Sequence, residues 1–217
     1  MIKCCIFDLD GTLLNTLSTI RYYLNETLKN NGIEPITREA CQKYVGNGAR
    51  KLILRALLEK GIDDDATFNK VFSEYNAVYD ADPYYLTEPY ENISELVDML
   101  ISQGITLAVF SNKPDFATRS AISHFFPRKF KLVRGATDKT PLKPAPDGVF
   151  EILKELGFSP DECAYIGDSD VDVLTGKAAG VCKNIAVSWG FRSCEELGRA
   201  GAEIIVKSVG EILSHIL

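Results

Sequence analysis

The chain has 217 residues, of which 46% are hydrophobic and 25% are charged, and its formal net charge is −6. Such a composition is typical of a globular protein large enough for one core with a smaller lobe. The acidic balance argues against a nucleic-acid partner, which would require clustered Lys and Arg. No apolar run reaches the roughly 18 residues of a membrane span, so no membrane partner is predicted.

Six cysteines are spread along the chain without a C-x-x-C pair, and Cys4 and Cys5 lie inside an apolar run. This pattern indicates reduced, buried thiols. The opening residues, MIKCCIFDLDG, contain too short an apolar run for the core of a signal peptide. We therefore predict a cytoplasmic protein that acts on a small molecule, and the sequence predicts no particular oligomeric state.

Short runs rich in Ile, Val, Phe and Cys alternate with longer helical patterns over much of the sequence. The runs predict strands at about residues 3–7, 105–110, 131–134, 163–167, 184–188 and 203–206. Apolar residues at helical spacing predict helices over 91–104 and 146–156, which end at Gly104 and Gly157. This alternation is typical of an α/β fold in which helices cover a parallel sheet.

Residues 16–82 interrupt the alternation, because this stretch has helical periodicity and no strand pattern. The predicted helices are Leu17–Leu28, Arg38–Val45, Ala49–Glu59 and Ala66–Asp80, separated by NNG (30–32) and GNG (46–48). We predict a sheet-containing core formed by residues 1–15 and 83–217. Residues 16–82 are predicted to be a movable helical cap inserted after the first strand.

Three clusters of polar residues follow predicted strands: DLDGT (8–12), SNK (111–113) and DSDVD (168–172). In open parallel sheets, ligands bind at the carboxyl ends of the strands, so we expect the three clusters to converge on one rim. Lys143, in PLKP (141–144), follows another short strand and can reach the same place. The sequence thus predicts a single functional site.

Several carboxylates in one crevice repel one another, so a cation is needed if they are to stay ionised. Oxygen ligands without a nearby His or Cys favour Mg²⁺ over zinc. Asp8 and Asp10 are two residues apart and point to the same side of an extended chain. Gly11 allows a sharp turn there, which brings the backbone close to a ligand. Mg²⁺ is therefore the predicted cofactor.

The same residues are suited to phosphoryl transfer. A carboxylate with an ordinary pKa of about 3.9 is ionised at neutral pH, so Asp8 can attack phosphorus without an activating base. Asp10 beside it can protonate a departing alcohol and later accept a proton from water. Mg²⁺, the Lys143 ammonium, the Ser111 hydroxyl and backbone NH groups would neutralise the equatorial oxygens of the phosphoryl group.

The motifs DLDGTL (8–13), SNK (111–113), LKP (142–144) and GDSDVD (167–172) resemble, in this order, those of the haloacid dehalogenase-like hydrolase superfamily. The resemblance spans nearly the whole core and implies a Rossmann-like fold. It also implies Asp8 as nucleophile and Asp10 as acid/base. The implied ligands are Asp8, the Asp10 backbone carbonyl and Asp168 for Mg²⁺, with Ser111 and Lys143 on the phosphate and Asp172 as a supporting carboxylate.

Further features resemble one branch of that superfamily. An aspartate two residues after the nucleophile is absent from the dehalogenase and phosphonatase branches, so Asp10 favours phosphate esters. The helical insertion, VGNGARKLILRAL (45–57) and SNKP (111–114) are similar to the phosphoglycolate phosphatase-like branch. The resemblance implies a Mg²⁺-dependent phosphatase that acts on a small phosphorylated metabolite, with 2-phosphoglycolate as the best guess.

The sequence suggests additional contacts around the phosphate. Thr12 and Asn112 in the core, and Asn47 and Gly48 in the cap, are predicted to bind substrate. The GNG segment is equally consistent with a turn between helices and with an anion-binding helix start. Lys113 is interpreted as a surface lysine beside Ser111, and WGFR (189–192) as a packed loop at the active rim.

Two kinds of alternative to the phosphatase remain open: a different reaction on the same core, and a non-enzymatic switch. A pyrophosphatase or a sugar phosphomutase would use the same core. Mutase relatives usually carry an arginine three residues after the first cap glycine, where this chain has Ala49, with Arg50 one residue later. A non-enzymatic switch with a phosphorylated aspartate, as in receiver domains, would need neither the helical insertion nor Asp10.

Overall fold

A computed structural model describes all residues from Met1 to Leu217, and none of its helices is long and apolar enough to cross a membrane. The strands are β1 (Cys4–Phe7), β2 (Leu14–Asn15), β3 (Glu88–Pro89), β4 (Thr106–Pro114), β5 (Leu132–Ala136), β6 (Cys163–Gly167), β7 (Lys183–Val187) and β8 (Ile204–Val206). The helices are α1 (Leu17–Asn30), α2 (Arg38–Tyr44), α3 (Ala49–Glu59), α4 (Asp65–Ala81), α5 (Ile93–Ser102), α6 (Asp115–Phe125), α7 (Asp147–Leu156), α8 (Asp170–Ala179), α9 (Cys194–Arg199) and α10 (Val209–Ile216).

Six parallel strands form one sheet in the order β5-β4-β1-β6-β7-β8. β1 lies inside the sheet, with Phe7 opposite Val109 of β4 on one side and Ile166 of β6 on the other. Along the chain, β4 and β5 add to one side of β1, and β6, β7 and β8 then add to its other side. The predicted Rossmann-like α/β fold is confirmed, as are the six predicted core strands within a few residues.

Helices cover both faces of the sheet, which explains why β1 is apolar throughout. Successive side chains of a strand point to opposite faces. Cys5 and Phe7 therefore pack against α5, α6 and α10, whereas Cys4 and Ile6 pack against α7 and α8. A strand buried on both faces has no polar positions to alternate with its apolar ones.

The helices α1 to α4 enclose an apolar cluster of their own. Seventeen buried residues form this cluster, and Phe191 is its one member from the sheet-containing part of the chain. Side-chain caps begin two of the helices, because Thr37 accepts from the Ala40 NH and Asp64 accepts from the Thr67 NH. The short ribbon of β2 and β3 pairs the two strands that lead into and out of this segment.

The structure corrects the predicted end of the strand at residues 105–110. β4 continues to Pro114, with a shift in its register against β5 between Phe110 and Pro114. Ser111, Asn112 and Lys113 thus lie in an irregular extension of the strand. The prediction failed because polar side chains suggest the end of a buried strand, whereas the backbone pairs regardless of side-chain polarity.

Candidate active site

The carboxyl ends of three neighbouring strands meet at one edge of the sheet. β1 lies between β4 and β6, Asp8 follows β1, and Asp168 follows β6. Ser111 lies on β4 just beyond Val109, the residue opposite Phe7. Since parallel strands all end at the same edge, the fold brings these three polar residues together.

Three carboxylates are crowded at this edge. Asp8, Asp168 and Asp172 each offer an oxygen, and these oxygens all lie within 4.8 Å of one another. All three residues are buried. No His or Cys belongs to the group, so its donor set consists of oxygens, which are the ligands of hard cations such as Mg²⁺. The arrangement fits a divalent metal ion.

The crowding and burial raise the pKa of two of these carboxyl groups. Burial, followed by the charge of Asp172, raises the pKa of Asp8 to about 7, although the ammonium of Lys143 acts in the opposite direction. Burial and the charges of Asp172 and Asp8 likewise raise the pKa of Asp168 well above its usual range. A bound cation would favour the ionised forms of both carboxyl groups.

Lys143 supplies a positive charge between two of the carboxylates. Its Nζ lies 2.8 Å from Asp8 Oδ1 and 2.7 Å from Asp172 Oδ1. Burial works against the charge, but Asp172 and Asp8 outweigh it and raise the pKa of Lys143. The Asn112 side chain fixes the backbone of Lys143, because its Oδ1 accepts from the Lys143 NH and its Nδ2 donates to the carbonyl.

Asp172 is held from several directions. Its Oδ2 accepts from the NH of Ser169 at 3.1 Å and from the hydroxyl at 2.5 Å, which closes a capping box at the start of α8. Its Oδ1 accepts from the Tyr165 hydroxyl at 3.1 Å as well as from Lys143. Asp172 therefore orients Lys143 and is itself fixed by α8 and β6.

Asp168 is held by a different set of groups. Thr12 Oγ1 donates to Oδ1 at 3.0 Å, and the Phe191 NH donates to Oδ2 at 2.7 Å. Thr12, a predicted substrate ligand, is fully buried, and its hydroxyl is directed at Asp168. A Cβ on Gly190 would lie 2.3 Å from Asp168 Cβ, and one on Gly11 would lie 2.3 Å from its Oδ2. Only glycine leaves room for Asp168 at these two positions.

Asp10 lies beside Lys113, for which the sequence predicts a position at the surface. That interpretation of Lys113 is wrong, because 10% of its side chain is exposed and its Nζ is 3.3 Å from Asp10 Oδ1. The same ammonium donates to the Tyr79 hydroxyl of α4 at 2.7 Å. Burial opposes the charge, yet Asp10 and Tyr79 raise the pKa of Lys113. The position of Lys113 in the SNK motif was a signal that it belonged to the site.

A cavity of about 90 Å³ lies between the sheet edge and the helical segment of α1 to α4. The predicted residues that line it are Asp8, Asp10, Gly48, Ser111, Asn112 and Lys143. Residues that the sequence interpretation did not select, among them Leu52, Tyr75, Asn76 and Tyr79, complete the wall on the helical side.

The GNG segment between α2 and α3 borders this cavity through its glycines. Gly46 (φ 106°) and Gly48 (φ 82°) have backbone conformations that favour glycine. Asn47 is not part of the lining, and its Oδ1 accepts from Arg55 Nη2 at 2.8 Å. Its role as a substrate ligand stays a prediction.

The loop after β7 connects the two sides of the cavity, so it borders the site as well as packing at the rim. Phe191 lines the cavity and packs into the helical cluster. Arg192 donates to the carbonyls of Gln42 and Val45 at 2.7 and 2.9 Å, and its Nε lies 3.2 Å from Asp170 Oδ1.

Comparison with known proteins identifies the family. A model of the haloacid dehalogenase-like hydrolase family matches residues 5–187. The phosphoglycolate phosphatase of Aquifex aeolicus is 32% identical over 190 residues, which cover 87% of this chain and 86% of that protein. The phosphoglycolate phosphatase of Rhodospirillum rubrum is 34% identical over 209 residues, which cover 93% and 86%. The chain therefore belongs to the haloacid dehalogenase-like hydrolase family.

A solved structure supports the same assignment. A presumed phosphoglycolate phosphatase from Lactobacillus delbrueckii subsp. bulgaricus superposes with a TM-score of 0.94 at 31% identity, over 99% of this chain and 98% of that one. Within its family, the chain is thus an enzyme of the hydrolase class that is similar along nearly its whole length to phosphoglycolate phosphatases. The resemblance inferred from the four motifs is confirmed.

Proposed function

We propose that this chain is a Mg²⁺-dependent phosphatase that hydrolyses 2-phosphoglycolate through a phospho-aspartyl intermediate on Asp8. The setting of the Asp8 carboxylate carries the proposal. Its Oδ1 accepts from Lys143 Nζ at 2.8 Å and from the Leu9 NH at 2.7 Å. Its Oδ2 makes no hydrogen bond within the protein, and the residue lines the cavity.

Asp8 and Asp168, together with the backbone carbonyl of Asp10, would hold the Mg²⁺ ion. Asp172 would support the site through its ion pair with Lys143. When bound, the ion offsets the mutual repulsion of the carboxylates and contributes positive charge where the phosphoryl oxygens lie.

Asp8 attacks phosphorus, and the ester bond between phosphorus and the alcohol oxygen breaks. Asp10 gives its proton to that departing oxygen. A water molecule then attacks the phosphorus of phospho-Asp8 and loses a proton to Asp10. This second step releases inorganic phosphate and regenerates the Asp8 carboxylate, so the cycle is balanced.

Positive charges and hydrogen-bond donors around the phosphate support both steps. The Lys143 ammonium and the Ser111 hydroxyl would contact phosphate oxygens, and Asn112 keeps Lys143 in place through two hydrogen bonds. Gly48 and Ala49 line the cavity at the start of α3, where free backbone NH groups attract anions. Thr12 contributes indirectly, because its hydroxyl holds Asp168.

We also propose that residues 16–82 form a cap over a core made of residues 1–15 and 83–217. The separate apolar cluster of α1 to α4 and the location of the cavity between the two parts support this division. A closed cap would keep bulk water away from the reacting groups, and an open cap would admit substrate.

Two similar relatives support a small substrate. The relatives from Aquifex aeolicus and Rhodospirillum rubrum, which cover 87% and 93% of the chain, are phosphoglycolate phosphatases.

The test is the initial rate of phosphate release, measured with Mg²⁺ and with EDTA. The panel contains 2-phosphoglycolate, pyrophosphate, hexose phosphates and nucleotides. We expect metal-dependent release with the highest kcat/KM for 2-phosphoglycolate. Conversion of glucose 1-phosphate to glucose 6-phosphate without phosphate release would contradict the proposal in favour of a mutase, and long-lived phospho-Asp8 without turnover would favour a switch.

A further inference from the structure

A lysine and a tyrosine from different parts of the chain meet at the cavity. Lys113 comes from the extension of β4, and Tyr79 comes from α4. The Lys113 ammonium lies 2.7 Å from the Tyr79 hydroxyl, and both residues line the cavity. Tyr79 is 6% exposed and the Lys113 side chain 10%, so the pair is largely shielded from bulk water.

This pair has unused hydrogen-bonding capacity. A lysine ammonium has three N–H donors, and a tyrosine hydroxyl can donate as well as accept. The Tyr79 oxygen accepts from Lys113, and its own hydrogen has no acceptor in the protein. The contacts of Lys113 to Asp10, at 3.3 and 3.4 Å, are longer than the 2.7–2.9 Å usual for charge-assisted hydrogen bonds. The ammonium is therefore free to share its donors with another anion.

The distribution of charge around the cavity makes Lys113 the cation available for such an anion. The charged residues of the lining are Asp8, Asp10, Asp80, Lys113 and Lys143. Lys143 is paired with Asp8 and Asp172 and, in the proposed function, its remaining donor capacity serves the phosphate. Arg50 and Lys51, at the start of α3, are not part of the lining. A second negative group on the substrate would thus find its countercharge at Lys113.

We propose that Lys113 and Tyr79 bind the carboxylate of the substrate and select phosphate monoesters that carry one. This inference rests on the proposed phosphatase function and assigns the part of the site that distinguishes among its substrates. Lys113 supplies a buried positive charge, and the Tyr79 hydroxyl supplies a directed hydrogen bond. Because Tyr79 belongs to α4, the bound carboxylate also joins the helical segment to the sheet edge.

The test compares two substrates that differ at one group. In 2-phosphoglycolate a carboxylate follows the methylene carbon, whereas 2-hydroxyethyl phosphate has a neutral CH₂OH group there. For Lys113→Met we expect kcat/KM to fall at least about tenfold more for 2-phosphoglycolate than for 2-hydroxyethyl phosphate, because a buried charge-assisted interaction is lost. The substrate ratio is kcat/KM for 2-phosphoglycolate divided by kcat/KM for 2-hydroxyethyl phosphate. Tyr79→Phe should reduce this ratio about fivefold, since it removes one hydrogen bond and keeps the ring.

Because 2-hydroxyethyl phosphate lacks the carboxylate, it distinguishes recognition of the carboxylate from an effect that Lys113 exerts through Asp10. If Lys113 served Asp10 alone, Lys113→Met would slow both substrates equally, and an unchanged ratio would overturn the proposal. Should Lys113→Met lose all activity, Tyr79→Phe decides, because it retains the contact between Lys113 and Asp10. An unchanged ratio in that variant overturns the proposal.

A charge-matched control is available on α3. Lys51 is exposed, and Lys51→Met removes one positive charge near the cavity without touching its lining, so the substrate ratio should stay at the wild-type value. Thermal melting of each variant verifies folding. If the wild-type enzyme releases phosphate from neither substrate, the proposed function itself fails. If it hydrolyses both and the variants keep the wild-type ratio, only the assignment of Lys113 and Tyr79 fails.

Discussion

The Lys143 ammonium lies 2.7 Å from Asp172 Oδ1, and only 2% of each side chain is exposed. Such a buried pair depends on good geometry, because each charge has lost its contact with water. The same Asp172 oxygen accepts from the Tyr165 hydroxyl, while the other accepts from Ser169. The pair therefore fixes where Lys143 presents its charge to Asp8.

Replacing Asp172 with asparagine removes this charge with little change in shape. We expect kcat to fall about 10- to 100-fold, the range for residues that orient a catalytic or metal-binding group, with a smaller change in KM. Steady-state kinetics would measure both constants. Asp170→Asn is a matched control, since Asp170 is half-exposed on the same helix and should affect kcat by less than about threefold. Equal losses in the two variants would contradict the role of Asp172.

Asp8→Asn should abolish turnover, because a neutral amide cannot act as the nucleophile, and the loss should exceed about 10³-fold. Asp10→Asn should nearly abolish it with alkyl phosphates, whose leaving group needs a proton. With p-nitrophenyl phosphate, which has a good leaving group, Asp10→Asn should still release about one equivalent of nitrophenol in a burst. Rapid-mixing absorbance would record the burst. Sustained turnover by Asp8→Asn would rule out the assigned nucleophile.

Mg²⁺ should stabilise the folded protein, because at the proposed site it would offset the repulsion within a cluster of carboxylates. At a concentration 100-fold above Kd, binding contributes about 2.7 kcal/mol. For a chain of this size, the melting temperature should then rise by about 5–10 °C, as measured by scanning calorimetry with Mg²⁺ and with EDTA.

The variant Asp168→Asn tests the origin of that stabilisation. It removes one of the proposed ligands from the cluster, so its melting temperature should respond little to Mg²⁺. Asp170→Asn should keep the full response. A wild-type response to Mg²⁺ in Asp168→Asn would place the metal elsewhere.

Gly190→Ala should weaken Mg²⁺ binding at least about tenfold, because the new methyl group would lie 2.3 Å from Asp168 Cβ and 2.4 Å from the Gly11 carbonyl oxygen. Titration calorimetry would measure the affinity. Gly210→Ala is the control, since nothing lies within 4 Å of its added methyl group. This control lies in α10 and should be as stable as the wild type or about 1 kcal/mol more stable. Unchanged affinity in Gly190→Ala would show that Asp168 can shift without loss.

The sequence predicted most of the fold because its elements depend on local pattern. The run from Cys4 to Phe7 is apolar because β1 is buried on both faces. The periodicity from Leu17 to Asp80 likewise gave four helices close to their observed bounds. The rule that ligands bind at the carboxyl ends of parallel strands then placed Asp8, Ser111 and Asp168 at one edge.

The sequence by itself thus determined the class of fold, the family and the residues at the strand ends. Only the tertiary structure decided which side chains face the cavity from the helical side. Tyr79 is 34 residues from its partner Lys113, and Lys113 is 103 residues from Asp10. No periodicity encodes such distances, because they result from how the helical segment packs over the sheet. For the same reason, the sequence could not show that the Asn47 side chain accepts a hydrogen bond from Arg55. Nor could it show that Gly190 leaves room for Asp168.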